Sequence, residues 1–595
     1  MADIGPDLHN KKQYPGMVGW FDPPMLLRIA REAIVSALFG QYADRRLIQA
    51  ALDPANDAEL VRRADLTGDV QPDGDGAVWL DYVADLGDGF DSTYAVAYLL
   101  GQQAIDLEGT GSLPRGQVLI MGGDQVYPAA TYENYKLKML RPYRFAFPDT
   151  IEEGASHPPV FLIPGNHDWY DGLTQFLALF CRAREKHIGS WRTRQRRSYF
   201  ALKLPNDWWI WAFDSQLGED IDQPQADYFA AIARAMPEGA KVVVCAAIPS
   251  WMYDSARFRR GIEYIANNIL LGEAKTADVY AVLSGDTHHY NRYSDVETGT
   301  QFITAGGGGA FLHPTHTLKD DAEIKWLGSR HRLSLKTTPD ATHAPTEESV
   351  CYPSRDESRK MLKANLRFPL ANPLFFVTLG GLYWVAALFL MLWRGDELAP
   401  QAIGSGAWMG LIASTTIGSP AFLVLLVALA GILIAYVNDE KDLTQKVVVG
   451  AIHAIPHLAI ILALVSFFPP LNSLVGAYSG SDWFFLLFAV EVVFIGGFAG
   501  AFVWGVYLLV ACGRFNLHSN DGFSAMRIAD YKLFLRLRIT NDELTIYPIA
   551  LDRVPKRSEW KWNSTRSESQ NEPRIVPTTP LKPHLIEGPV IVKRA

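Results

Sequence analysis

Cysteine is scarce in this chain, with Cys181, Cys245, Cys351 and Cys512 the four present in 595 residues. No two form a CxxC pair, which excludes a disulfide framework and a cysteine zinc site and makes reduced thiols in a cytoplasmic setting the expectation. Positive charge is also in deficit. Lysine and arginine number 55 against 64 aspartate and glutamate, for a net charge of -9. No basic stripe offsets this, so nucleic-acid binding through a broad cationic face is excluded. The N-terminal MADIGPDLHNKKQYPGM lacks the basic-then-apolar pattern of a signal peptide, which leads us to expect the residues before Phe368 on the cytoplasmic side. Charge of either sign nearly disappears from Phe368 to Cys512, where about ten charged side chains occur. A water-soluble helix needs a polar face, so this stretch reads as membrane-embedded.

What is present divides the chain into five parts. Residues 1–77 form an N-terminal helical extension, with apolar residues at helical spacing across 24–52 that predict one long amphipathic helix or two shorter ones. Residues 78–316 alternate short apolar runs with polar loops and helical stretches, the pattern of an α/β or α+β domain. Residues 317–367 are polar and read as a linker or surface excursion. Residues 368–512 resolve into about four spans near 373–393, 420–437, 447–468 and 483–512. Residues 513–595 form a C-terminal region whose KLFLRLRITNDELTIYPIAL predicts a β-hairpin docked on the soluble domain or on another chain. Basic residues gather before the first span (Arg355, Arg359, Lys360, Lys363, Arg367), between the second and third (Lys441, Lys446) and after the fourth (Arg514, Arg527, Lys532, Arg536, Arg538). That placement predicts both termini and the soluble domain on the cytoplasmic side of a multi-pass membrane protein.

Five motifs follow strand-like runs in the soluble domain. ADLGDGFDS carries Asp85 and Asp88, and GGDQVYP carries Asp124 and Tyr127. PGNHDWY carries Asn166, His167 and Asp168, CAAIPSW carries Ala247, and SGDTHHYNRY carries Asp286, His288 and His289. One glycine-aspartate pair after a strand is ordinarily a turn. Five in order place carboxylates, a carboxamide and imidazoles at one end of a sheet, a donor set suited to Mn, Fe, Zn or Mg.

These motifs resemble the calcineurin-like metallophosphoesterase family over roughly residues 78–310. DLG at 85–87 and GDQVY at 123–127 are similar to the purple acid phosphatase-like branch. The resemblance implies a β-sandwich flanked by helices and a pair of metal ions that activate water against a phosphate mono- or diester. It implies that Asp85, Asp124, Tyr127 and His288 hold the first metal and that Asp124 bridges to a second held also by Asn166. It implies further that His167 protonates the leaving group or stabilises charge on the phosphoryl oxygens. Two positions depart from the family, since Ala247 and Asp286 stand where histidines are expected. Asp286 is still a hard-metal ligand, whereas Ala247 is none, so Asp88, Asp168, His289 or His313 are candidates to complete the shell.

The leading expectation is a membrane-anchored metal-dependent phosphoesterase whose partners are its phosphoester and membrane lipids, with self-association through the helices open. A catalytically degenerate sensor or scaffold and a transporter or channel gated by the soluble domain are the alternatives. Glu491, His453 and His457 are ionisable residues inside apolar spans, read first as helix glue.

Overall fold

The computed structural model describes the chain apart from residues 1–6, 29, 32–44, 151–156, 183, 216–219, 275–276, 339–347, 395–417, 438–441, 478–480, 567–570 and 594–595. Two compact units emerge, the first made of Met1–Val18, Ile29–Ser358 and Arg527–Ala595, the second of Gly19–Arg28 and Arg359–Met526.

The first unit is built on two nine-stranded sheets. One runs His584–Leu585, Glu543–Leu551, Lys532–Ile539, Val78–Val83, Val118–Met121, Pro159–Leu162, Trp191–Thr193 and Lys186–Ile188, with Val590–Lys593 also on Glu543–Leu551. The other runs Asp321–Trp326, Ser329–Leu335, Tyr290–Asp295, Gln301–Ala305, Asp278–Ser284, Lys241–Ala246, Trp208–Phe213 and Phe200–Lys203, with Cys351–Tyr352 also on Tyr290–Asp295. Side chains alternate between faces along each strand. Leu80, Tyr82, Val118 and Ile120 share one buried cluster with Ile210, Val243, Cys245 and Leu283 of the other sheet. Their neighbours Trp79, Val83 and Leu119 join Phe90 and Tyr94 of the helix Phe90–Gly101. Trp209, Trp211 and Val244 likewise join Phe229 and Ile232 of the helix Gln223–Ala235. The sheets therefore face each other and each is covered outside by helices, a sandwich in four layers. Strands buried on both faces read as continuous apolar runs, and each large side chain so placed contributes about 1.5–3 kcal/mol.

Two expected regions contribute strands to these sheets. Within residues 317–367, expected as a linker or surface excursion, Asp321–Trp326 and Ser329–Leu335 form an antiparallel hairpin whose second strand pairs with Tyr290–Asp295. Ile324, Trp326 and Leu333 point inward while charged residues between them face water. Half the side chains of such a strand are polar, which is what imitated a linker. The C-terminal region, whose hairpin is expected on the soluble domain or on another chain, supplies strands to the first sheet. Its predicted hairpin forms, with Lys532 opposite Leu551 and Ile539 opposite Leu544. Lys532–Ile539 then pairs antiparallel with Val78–Val83 inside the first sheet. An exposed edge beside a strand buried on both faces leaves unpaired backbone groups, and residues 455 positions further along the chain satisfy it. Lys532 and Arg536, counted above as flanking charges, are completely buried there.

In the second unit the main helices are Pro373–Arg394, Pro420–Tyr436, Leu443–Leu474 and Asp482–Phe515. Among the described residues three are long and apolar enough to cross a membrane, by length and composition: Pro373–Met391, Leu443–Leu474 and Asp482–Phe515. The second expected span is a helix of 17 residues, about 25 Å long against a hydrocarbon core of about 30 Å. Close backbone approach sets the packing of the first and last helices. A Cβ on Gly380 would lie 2.1 Å from the Val493 carbonyl oxygen, and one on Gly497 2.3 Å from that of Phe376, the use of small residues typical of helices in lipid. Of the stretch 24–52, residues 24–28, 30–31 and Arg45–Leu52 are helical, while residues 29 and 32–44 lie outside the described residues, as does Lys441.

Candidate metal centre

The site lies where parallel strands end. Asp85 follows Val78–Val83, Asp124 follows Val118–Met121, Asn166 and His167 follow Pro159–Leu162, and Asp286 follows Asp278–Ser284. Asp85, Asp124 and Asp286 all adopt left-handed backbone, with φ of 61°, 46° and 67°. Aspartate tolerates that conformation at some cost, and such strain concentrates at functional sites. Here it turns each chain sharply off its strand, and the Asp85 and Asp124 carboxylates meet at one point. Glycine makes the close approach possible, since a Cβ on Gly165 would fall 2.0 Å from Asp124 Oδ1 and one on Gly306 2.4 Å from Asp85 Oδ2.

At that point sits the Tyr127 hydroxyl, 3.0 Å from Asp85 Oδ1, 3.0 Å from Asp124 Oδ2 and 2.9 Å from His288 Nε2. The four residues expected for the first metal are thus together and buried. His288 Nδ1 lies 2.6 Å from the Phe311 carbonyl oxygen. A carbonyl only accepts, so Nδ1 carries the proton and Nε2 presents its lone pair to the cluster. The backbone N–H of Asp286 donates to both Asp85 oxygens at 3.1 and 2.9 Å, and that of His167 donates to Asp124 Oδ1 at 2.9 Å. One phenolic proton then faces two carboxylates and an imidazole lone pair. Burial, and next the neighbouring carboxylates, push the Asp85 and Asp124 carboxyls above their usual range. An excess of buried acceptors over donors is the condition a cation relieves, so this donor set fits a divalent ion. Among the described residues no three histidine, cysteine, aspartate or glutamate side chains are spaced to hold an ion by themselves.

The second half of the site is less complete. Asn166 is exposed at the start of the helix Asn166–Trp169. Asp286 accepts a hydrogen bond through Oδ2 from the Tyr253 hydroxyl at 2.8 Å, and Ala247 is buried. Tyr253 escaped the sequence reading because it lies six residues beyond the expected motif position, with nothing in its spacing to single it out. His167 donates from Nδ1 to the Pro128 carbonyl oxygen at 2.7 Å, and burial lowers its pKa to about 4. With Nδ1 engaged by that carbonyl, Nε2 is the nitrogen left to meet a bound group.

The four further candidates have other work in the structure. Asp88 accepts from the backbone N–H of Val18 at 3.0 Å and of Phe311 at 3.1 Å, fixing two loops. Asp168 accepts from Gly165 at 2.9 Å, from Gln125 at 3.1 Å and from the Tyr135 hydroxyl, which locks the turn carrying Asn166. His289 Nε2 pairs with Asn291 Nδ2 at 3.0 Å. His313 stacks on His288 with centroids 4.0 Å apart. Beneath them, Lys138 donates to the Tyr127 carbonyl oxygen at 2.8 Å and Lys532 to that of Ala310 at 2.7 Å. Burial lowers the Lys532 pKa to about 8.

No family model matches the chain, and no curated protein matches it. Among solved structures it is similar to the purple acid phosphatase PPD1 from yellow lupin (Lupinus luteus) seeds, at a TM-score of 0.27 and 12% identity, over 40% of this chain and 45% of that one. It is also similar to PhoD, at a TM-score of 0.27 and 9% identity, over 44% of this chain and 63% of that one. The chain thus spans less than two thirds of either protein, and overlap this slight adds nothing to the chemistry read from the side chains.

Proposed function

We propose that the chain is a metal-dependent phosphoesterase that hydrolyses a phosphate mono- or diester, anchored to a membrane by its apolar helices. The observation that supports this best is the convergence of Asp85, Asp124 and His288 Nε2 on the Tyr127 oxygen within 3.0 Å. A bound divalent ion supplies a water of lowered pKa and a Lewis-acid contact to a phosphoryl oxygen. The protein's part is positioning. His288, fixed by Phe311, presents a lone pair, and the two carboxylates and the phenol supply oxygen donors. Asn166 and Asp286 offer further oxygen ligands to a second ion, and His167 stands beside Tyr127 with ring centroids 4.4 Å apart, where its Nε2 faces a phosphoryl group or its leaving oxygen. Steady-state hydrolysis of aryl phosphate mono- and diesters by the detergent-purified chain with added Mn tests the reading. Activity lost in Asp124→Asn supports it, and equal rates in both proteins sink it.

A catalytically degenerate sensor is the second reading, favoured by Ala247 and by the engagement of Asp286 with Tyr253. It predicts near-zero native turnover that Ala247→His raises strongly.

A further inference from the structure

The histidine of the candidate metal centre is oriented by a loop with almost no side chains of its own. Gly306 to Gly309 follow the strand Gln301–Ala305 and lead to Ala310 and Phe311. A Cβ on Gly307 would fall 2.7 Å from the Leu533 nitrogen, and one on Gly308 2.5 Å from the Ala84 carbonyl oxygen. The loop is thus wedged between the strand Lys532–Ile539 and the chain leading into Asp85. Backbone hydrogen bonds hold it there, from Leu533 N–H to the Gly307 oxygen at 3.0 Å, from Gly308 N–H to the Ala84 oxygen at 2.8 Å and from Ala310 N–H to the Asp85 oxygen at 2.9 Å.

The peptide joining Ala310 to Phe311 is gripped by charge at both of its polar atoms. Its carbonyl oxygen accepts from Lys532 Nζ at 2.7 Å, and its N–H donates to Asp88 Oδ2 at 3.1 Å. Asp88 Oδ1 accepts from the Val18 N–H at 3.0 Å, so both of its oxygens act as acceptors. Lys532 and Asp88 are each 0% exposed. A peptide unit is planar, so holding its oxygen and its N–H fixes the plane from which Phe311 departs. The carbonyl of Phe311 is the one that meets His288 Nδ1 at 2.6 Å.

Docking of the strand does not account for the buried ammonium. The Leu533 backbone already bonds the loop, and an apolar side chain would be buried without the cost of desolvating a charge. A fully buried lysine is ordinarily paired, whereas this one donates to a carbonyl. Burial lowers its pKa only to about 8, so it remains a cation at pH 7. Hydrogen bonds to ionised groups are roughly twice as strong as neutral ones, and groups that hold a metal-bound histidine by its other nitrogen set its tautomer and its aim.

We propose that Lys532 and Asp88 are positioning residues of the metal centre, clamping the Ala310–Phe311 peptide so that the Phe311 carbonyl holds His288 with Nε2 turned to the Tyr127 oxygen. The inference rests on the metal reading of that cluster. It makes a strand that follows the apolar helices in sequence a support for a ligand that precedes them.

Titration of the full detergent-purified chain with Mn, following the free ion by electron paramagnetic resonance, tests this apart from turnover. Loss of a group that orients a metal ligand weakens metal binding by about 10–100-fold, so Lys532→Met is expected to raise the Mn Kd at least about tenfold. Coulomb attraction alone predicts the opposite sign, because removing a positive charge near the site tightens its hold on a cation. Arg536→Met removes a buried cation from the same strand, bonded to Asp81 and Leu113 away from the loop, and is expected to lower stability while leaving the Mn Kd unchanged. Should Lys532→Met fail to fold, Asp88→Asn keeps the shape of the other half of the clamp and is expected to weaken Mn binding. An unchanged or tighter Mn Kd in Lys532→Met, an unchanged one in Asp88→Asn, or equal weakening by Arg536→Met overturns the positioning role and leaves the metal reading standing. A wild type that binds no Mn overturns both.

Discussion

A single phenol oxygen holds the candidate centre together. Tyr127→Phe leaves the packing of the ring intact and removes the atom shared by Asp85, Asp124 and His288. Loss of one such preorganised group typically costs about 10²–10³ in rate. We expect at least a hundredfold fall in kcat/KM for the aryl phosphoester, with melting temperature little changed. Gly165→Ala tests the backbone approach independently. Its methyl would lie 2.0 Å from Asp124 Oδ1, and displacement of a reacting group by even about 1 Å costs around a hundredfold. A Gly165→Ala enzyme with native turnover would contradict the geometry. Asp85, Asp124, Tyr127 and His288 were legible from sequence because each sits just beyond a strand end, where a short motif carries the whole signal. Tyr253 and Lys532 were not legible, since each reaches the site through tertiary packing that no local spacing records.

At the level of elements, the strand Lys532–Ile539 carries a charge pair whose partner lies across the ladder. Arg536 donates to Asp81 from Nε at 2.7 Å and Nη2 at 3.0 Å, and to the Leu113 carbonyl oxygen at 2.9 Å, with both side chains buried. Removing one partner of such a pair strands a charge and costs about 3–5 kcal/mol, whereas replacing both by apolar groups is often neutral. Arg536→Met should lower the denaturant midpoint strongly, and the double variant Asp81→Leu, Arg536→Met should recover most of the loss. A double variant no better than the single one would mean the pair has a further role. The hairpin itself was readable from its alternation around TNDE. Its partner was not, because pairing across 455 residues leaves no trace in local pattern. Residues 321–335 were misread for a related reason, since a strand with one wet face has the composition of a linker.

For the whole molecule, the first unit is discontinuous in sequence, begun before the apolar helices and finished after them. A chain ending at residue 526 lacks Lys532–Ile539 and Glu543–Leu551, and with them Leu533, Leu535, Leu537 and Ile546 of the cluster between the sheets. Each is worth about 1.5–3 kcal/mol of burial, a large share of a stability of order 5–15 kcal/mol. That truncation should yield aggregated protein by size-exclusion chromatography, and a folded monomer would contradict the split sheet. The layered α/β character was legible because strands buried on both faces are apolar throughout. The number of spans was less so, because apolar length alone does not separate the helix Pro420–Tyr436 from a full crossing.

The most direct measurement is bound Mn and phosphodiester turnover on the same detergent-purified samples of wild type, Asp124→Asn and Tyr127→Phe. At least one ion per chain and measurable hydrolysis in the wild type, both lost in each variant, is the predicted result. A wild type that binds no ion, or turnover that persists in Asp124→Asn, would contradict a metal-dependent phosphoesterase centred on Tyr127.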